Sequence, residues 1–178
     1  MKNVDKEQMP DQHLINEILE AATWAPNHHM TEPWRFVVIA KEERLRLGDA
    51  MAEALRTKMQ TDDPRAEEVL KLEREKPLRS LVIIALISSQ TVGEKIVPQE
   101  EMVAAGAALQ NMLLAAHSLG LGAMVRTGAH SYLPPVRAYF RLQEKESLVG
   151  LVYLGYPIEP PGVSKRSPLE GKVEWRGF

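Results

Sequence analysis

The chain has 178 residues, 44% of them hydrophobic and 26% charged, with a formal net charge of -2. That length and composition suit one globular domain with a sizeable core, and the near-neutral balance gives no basis for nucleic acid or an anionic membrane as partner. Cysteine is absent, which excludes disulfides, thiolate metal sites and a cysteine nucleophile.

The opening "MKNVDKEQMPDQ" is polar and does not read as a signal peptide. No apolar run of about 18 residues follows, so no membrane span is expected and a soluble, cytoplasmic protein is the default. In "DQHLINEILEAATWA", Leu14, Ile15, Ile18, Leu19 and Ala22 recur at helical spacing, with Asp11 placed as N-cap. Pro26 and Asn27 should end that helix. "WRFVVIA" (residues 34–40) then reads as a buried strand, rich in β-branched and aromatic residues.

"KEERLRLGDAMAEALRTKM" predicts an amphipathic helix with Leu45, Leu47, Met51 and Leu55 among its apolar positions. Residues 61–79 alternate in charge, as an exposed helix or excursion does. "SLVIIALISS" (residues 80–89) is a continuous apolar run, the pattern of a strand buried on both faces. Residues 100–120, "EEMVAAGAALQNMLLAAHSLG", predict a helix apolar all round, hence central and largely buried. Its small residues at 104–108 permit close approach by a helix or ligand. "LGAMVRTGAH" gives a short strand ending at Arg126-Thr127-Gly128, and a short helix follows near "PPVRAYF". "SLVGLVYLGYP" is another apolar strand. The last twenty residues, rich in Pro, Gly and charge, read as an extended arm that Val173 and Trp175 could anchor on another surface.

Chemistry-bearing residues concentrate between residues 21 and 40, where two of the three tryptophans stand beside paired histidines. His28 and His29 are adjacent, so their side chains should diverge and not chelate one metal; no metal site is expected. Proline at each end stiffens this loop, which suits a flat aromatic ligand, although both indoles could equally fill core. Gly120, Gly122 and Gly128 fit neither a dinucleotide fingerprint nor a P-loop. Gly120 reads as the C-cap of the long helix, and Arg126 as an anion binder or a plain surface residue. With no nucleophile elbow and no carboxylate pair marked by spacing, any catalysis should belong to a bound cofactor.

"AATWAPNHHMTEPWRFVVI" closely resembles the signature loop of the FMN-dependent nitroreductase family. In that family a helix ends in an Ala-Pro-Asn/Asp-His turn and a Gln/Glu-Pro-Trp-Arg/His step starts the first strand. "PLRSLVIIAL", "EEMVAAGAALQNMLLAAHSLGLGAMVRTG" and "LVGLVYLGYP" agree in order and spacing, so the resemblance runs from Leu14 to Pro157 and points to the small bacterial members.

The resemblance implies an α+β, nitroreductase-like fold: one domain over residues 1–178, a central mixed or antiparallel sheet flanked by helices, and residues 158–178 as an arm. It also implies a homodimer with the Ala-rich helix at the interface and two FMN molecules in clefts shared by both chains. Trp24 and His28 match positions that contact the flavin from the partner subunit, while Val125, Arg126 and Thr127 match a flavin-contacting step. Ala115, Ala116, His117, Ser118, Leu119 and Gly120 match a stretch that binds the nicotinamide cofactor. NADH or NADPH would reduce the flavin, and a nitroaromatic, quinone or similar electron-poor small molecule would then take the electrons in the same cleft. Arg126 is the candidate for stabilising charge on the reduced ring.

One departure stands out. Family members begin with a helix ending in an Arg-Arg-Ser-like step that holds the FMN phosphate, whereas this sequence has no arginine before Arg35. Either the start lies downstream of that step or other groups bind the phosphate, with Lys165 and Arg166 as candidates. A dimeric flavin- or flat-ligand-binding storage module without efficient turnover is the alternative, and a metal-assisted hydrolase using the histidines is a third.

Overall fold

The computed structural model describes residues 4–59, 64–91, 93, 95–159, 162 and 164–177, with the His130 side chain set aside. Residues 61–63 of the charged stretch and 160–161, 163 and 178 of the arm lie outside these. The elements follow the expected order: α1 (Gln12–Thr23), β1 (Trp34–Ala40), α2 (Glu43–Arg56), α3 (Ala66–Glu75), β2 (Val82–Ser89), α4 (Pro98–Ser118), β3 (Gly122–Arg126), α5 (Pro134–Tyr139) and β4 (Glu146–Gly155). Short 3-10 turns cover His28–Met30, Lys76–Arg79 and Ala129–Tyr132. Among the described residues no helix is long and apolar enough to cross a membrane.

The four strands form an antiparallel sheet in the order β1-β2-β4-β3. Helices cover both faces. Ile15, Ile18 and Ala22 of α1 and Ala108, Met112 and Ala116 of α4 pack with Val82, Ile84, Val152 and Leu154 on one side. Leu47, Met51 and Ala54 of α2 and Val136 of α5 pack with Ile83, Ala85, Ile87, Leu151 and Tyr153 on the other. Alternate side chains of β2 therefore feed two cores, which is why its apolar run is continuous.

A register shift between Leu86 and Ile87 adds one residue to β4, so Gly150 faces Leu86 while Leu148 faces Ile87. The bulge reverses the parity of β4, and Leu148 joins Leu151 and Tyr153 in the same core despite the odd spacing.

Three expectations need correction. Residues 34–40 do form a strand, but it is the sheet edge and mostly half-buried, with Val38 exposed. Strand order puts β1 there, which local composition does not report. Leu45 of α2 is exposed. The long helix is not buried all round: Ala104, Ala105, Ala108, Met112 and Ala116 face the core, whereas Val103 and Leu114 are 72% and 59% exposed. Within one chain α4 covers the sheet with one face and leaves an apolar face outside.

The helix ends are set locally. The Asp11 carboxylate accepts from the His13 N–H at 3.0 Å, capping α1. At the end of α4, Gly120 has φ +75°, the Gly120 N–H donates to the His117 carbonyl and the Leu121 N–H to the Ala116 carbonyl. That paired bonding turns the chain sharply into β3 and needs a residue that tolerates positive φ.

Candidate functional site

The loop between α1 and β1 is bound to the start of α4. His28 Nδ1 lies 2.6 Å from Glu100 Oε2, and the Thr31 hydroxyl donates to Glu101 Oε1 at 2.6 Å. Glu101 is 1% exposed, and its other oxygen accepts the Thr91 N–H at 3.0 Å. The Glu32 N–H donates to Asn27 Oδ1. These bonds hold a backbone in which His29, Met30 and Glu32 have φ of +55°, +53° and +46°, a conformation costly for residues with a Cβ.

The positive φ at His29 overturns one expectation. Adjacent side chains should diverge, yet the His28 and His29 rings stack with centroids 4.0 Å apart, because the left-handed residue folds the second ring back onto the first. Pro26, Asn27, His28, Gln99, Glu100, Val103 and Ala104 line a cavity of about 370 Å³ beside this turn. Trp24 is 81% exposed and Trp34 half-buried against the α1–α4 core, so the two indoles have separate roles.

Arg35, the last residue of the Pro-Trp-Arg step, crosses the end of β2 to reach β4. Its Nε and one terminal nitrogen donate to the two oxygens of Glu146 at 2.7 and 2.9 Å, and it also donates to the Phe140 carbonyl. The bond from Arg35 is the main cause holding the Glu146 carboxyl below the usual carboxylate range; burial opposes it, and the Gln143 N–H adds to it. Arg35 is thus structural, a role that sequence spacing does not reveal because its partner lies 111 residues away.

The second constellation stands where β3 ends. Val125 and its neighbours run against Gly150 of β4, where an added Cβ would meet Val125 at 3.1 Å. Arg126 and Arg79 line both compartments of a cleft. The outer compartment, about 790 Å³, is walled by Val4, Asp5, Lys6, Glu7 and Ile158 as well. The inner, about 100 Å³, includes Thr127, Ser131, Tyr153 and the ion-paired Glu73 and Lys76. Burial pushes the Tyr153 phenol up to about 12, although Arg126 and Arg79 both oppose the shift, so its O–H is retained at neutral pH. Arg79 was missed in the sequence, where "PLRS" reads as one charge in a charged stretch.

The predicted site residues therefore fall into three places within one chain. Trp24 stands exposed at the end of α1 and His28 in the loop bound to α4, Arg126 and Thr127 line the cleft while Val125 packs against the α1–α4 core, and Ala115–Gly120 runs through the end of α4. In that last stretch Ala116 is fully buried core and Gly120 serves the helix cap. His117 lines a third cavity of about 150 Å³ with Leu113, Gly122 and Glu159. Lys165 and Arg166 line none of these cavities. Among the described residues no group of three or more His, Asp or Glu is placed to hold a metal ion.

A flavin phosphate requires cationic or N–H donors, and the cleft provides guanidiniums with room for a ligand, so these residues fit FMN. Comparisons with known proteins bear on the same point. The model of the Nitroreductase family matches residues 1–156. The Escherichia coli protein named "Putative NAD(P)H nitroreductase YdjA" is 32% identical over 151 residues, covering 85% of this chain and 80% of its own. A nitroreductase-like family protein from Bacillus cereus superposes with a TM-score of 0.82 at 26% identity, over 100% of this chain and 91% of that one. A "putative nitroreductase" from Desulfovibrio desulfuricans, solved in complex with FMN, gives 0.70 at 26% identity over 100% and 91%.

Proposed function

The chain belongs to the Nitroreductase family, and we propose that it is a homodimeric, cytoplasmic FMN-dependent NAD(P)H oxidoreductase of nitroaromatic, quinone or similar electron-poor small molecules. Flavin-dependent oxidoreduction with NADH or NADPH as donor is the chemistry of this enzyme. FMN held by these residues would supply the redox chemistry between the nicotinamide donor and the acceptor, which would use the cleft in turn, in ping-pong order. The chain forms one nitroreductase-like domain, with residues 158–178 as an arm.

The observation that carries the reading is the Arg126-Thr127 step on the wall of the arginine-lined cleft, directly after Val125 of β3. The protein's own part is to hold and orient. Val125 and Thr127 present the end of β3 to the ligand, and Arg126 offers a fixed positive charge. Trp24 and His28 belong to the partner's flavin site: His28 shares a cavity with Val103 on the exposed apolar face of α4, and Trp24 is exposed at the end of α1. Glu100 accepts from the His28 Nδ1–H, which leaves Nε2 to face a ligand. Ile158, Leu169, Val173 and Trp175 are exposed along the arm, consistent with an arm laid on the partner. The nicotinamide enters near His117 and Gly120.

The test is a visible absorption spectrum before and after incubation with FMN and desalting, followed by anaerobic addition of NADH or NADPH. Retained flavin bands that bleach with either nucleotide are expected. A protein that retains no flavin, or flavin that neither nucleotide bleaches, would sink the proposal.

A further inference from the structure

Resting on that flavin reading, we infer that Arg79, together with Arg126, forms the phosphate-binding site of this chain. Most described arginines are already committed. Arg35, Arg46, Arg56, Arg74 and Arg176 reach carboxylates, and Arg44 and Arg137 donate to carbonyls. Arg79 and Arg126 make no side-chain hydrogen bond or ion pair among the described residues, yet both line the outer and the inner compartment of one cleft.

Of the three carboxylates that line the cleft, two have partners of their own, and Glu7 stands on the outer wall with Lys6. Asp5 Oδ1 accepts the N–H groups of Glu7 and Gln8 at 2.7 and 3.2 Å, and Glu73 pairs with Lys76. Lys6 adds a third cation at the rim. The two guanidiniums also act on one point, since both favour the ionised form of the same buried Tyr153 phenol. The cleft is therefore a focus of positive potential with neutral O–H groups of Thr127, Ser131 and Tyr153 behind it.

The two arginines are held in place by rigid neighbours. Arg79 closes a 3-10 turn whose Pro77 is buried, and the next residue, Ser80, is fixed by its hydroxyl on the Val82 carbonyl and by Arg44 on its own carbonyl. Arg126 ends a strand paired with β4. Two planar guanidinium forks on separate rigid elements suit a phosphate monoester, which takes bidentate, charge-assisted bonds from each.

Two phosphates share this chemistry, that of FMN and the 2′-phosphate of NADPH. The experiment measures binding alone: flavin fluorescence quenching with FMN and with riboflavin, and nucleotide fluorescence with NADPH and with NADH, for the wild-type chain and Arg79→Gln. A loss of about tenfold to a hundredfold in FMN affinity with riboflavin affinity unchanged assigns the site to the flavin phosphate. The same loss for NADPH relative to NADH, with FMN unchanged, assigns it to the nucleotide. Arg79→Lys, which keeps the charge and loses the fork, should fall between. Unchanged FMN-to-riboflavin and NADPH-to-NADH ratios in Arg79→Gln overturn this inference while leaving the flavin reading intact. Failure of the wild-type chain to bind either flavin overturns both.

Discussion

Replacing Arg35 by Met keeps the aliphatic stem and deletes the fork that holds Glu146. The Glu146 side chain is 8% exposed and that of Arg35 37% exposed, so the pair is neither a surface bridge nor a sealed one. Exposed pairs contribute about 0–1 kcal/mol and breaking a fully buried one costs about 3–5 kcal/mol. The carboxylate keeps the Gln143 N–H at 3.0 Å, which softens the loss. A cost of about 2–3 kcal/mol follows, or about 4–12 °C in Tm at this chain length. The pH dependence has a definite sign. Glu146 is held below its ordinary 4.5 mainly by Arg35, so the stabilisation is complete above that value and is lost as pH falls through the lowered one. Circular dichroism melts should therefore show a gap between wild type and Arg35→Met that is constant from neutral pH down toward 4.5 and narrows as the pH falls further. A gap under about 2 °C near neutrality, or one that does not narrow in acid, would refute the reasoning.

Other consequences are equally direct. A Cβ at Gly48 would lie 2.1 Å from the Arg74 carbonyl oxygen, so Gly48→Ala must separate α2 from α3; a loss of about 3 kcal/mol is expected in urea unfolding, and an unchanged midpoint would contradict it. Leu114→Glu places a charge on the exposed apolar face of α4 and should halve the mass found by light scattering if that face joins two copies, while an unaltered mass would remove α4 from the interface. Since burial raises the Tyr153 phenol to about 12, its contribution to stability is whole below about pH 10 and falls as pH rises from there to 12. Tyr153→Phe should flatten alkaline unfolding in that window, and equal slopes for both proteins would count against the assignment.

What could be read from the sequence followed from local periodicity. Every helix and strand appears in the expected order, Asp11 and Gly120 cap where their residue types suggest, and the uninterrupted run in β2 reports its two buried faces. What the sequence left unread or misread has its cause in non-local structure. "WRFVVIA" and "VIIALIS" look alike, and only the strand order makes one an edge and the other a centre. The parity of Leu148 depends on a bulge opposite Leu86 and Ile87. Arg79 and Arg126 are 47 positions apart by sequence number, and no spacing rule links the end of a turn to the end of a strand three elements later. The paired histidines misled because divergence assumes ordinary backbone, whereas His29 is left-handed.

That left-handed stretch explains why the loop and α4 act as one unit. Three non-glycine residues at positive φ within four positions would each cost on the order of 1–3 kcal/mol if nothing opposed relaxation. Opposition comes from two consecutive carboxylates at the start of α4: Glu100 holds His28 and the buried Glu101 holds Thr31 while also capping Thr91. The helix that supplies these anchors inserts Ala108, Met112 and Ala116 into the sheet core and turns Val103 and Leu114 outward. Sheet packing thus fixes α4, α4 fixes the strained turn, and the turn fixes the imidazoles beside the face that a second copy would cover. The glutamates at 100 and 101 look like ordinary helix N-terminal acids in the sequence, but they transmit the rigidity of the core to the histidine loop.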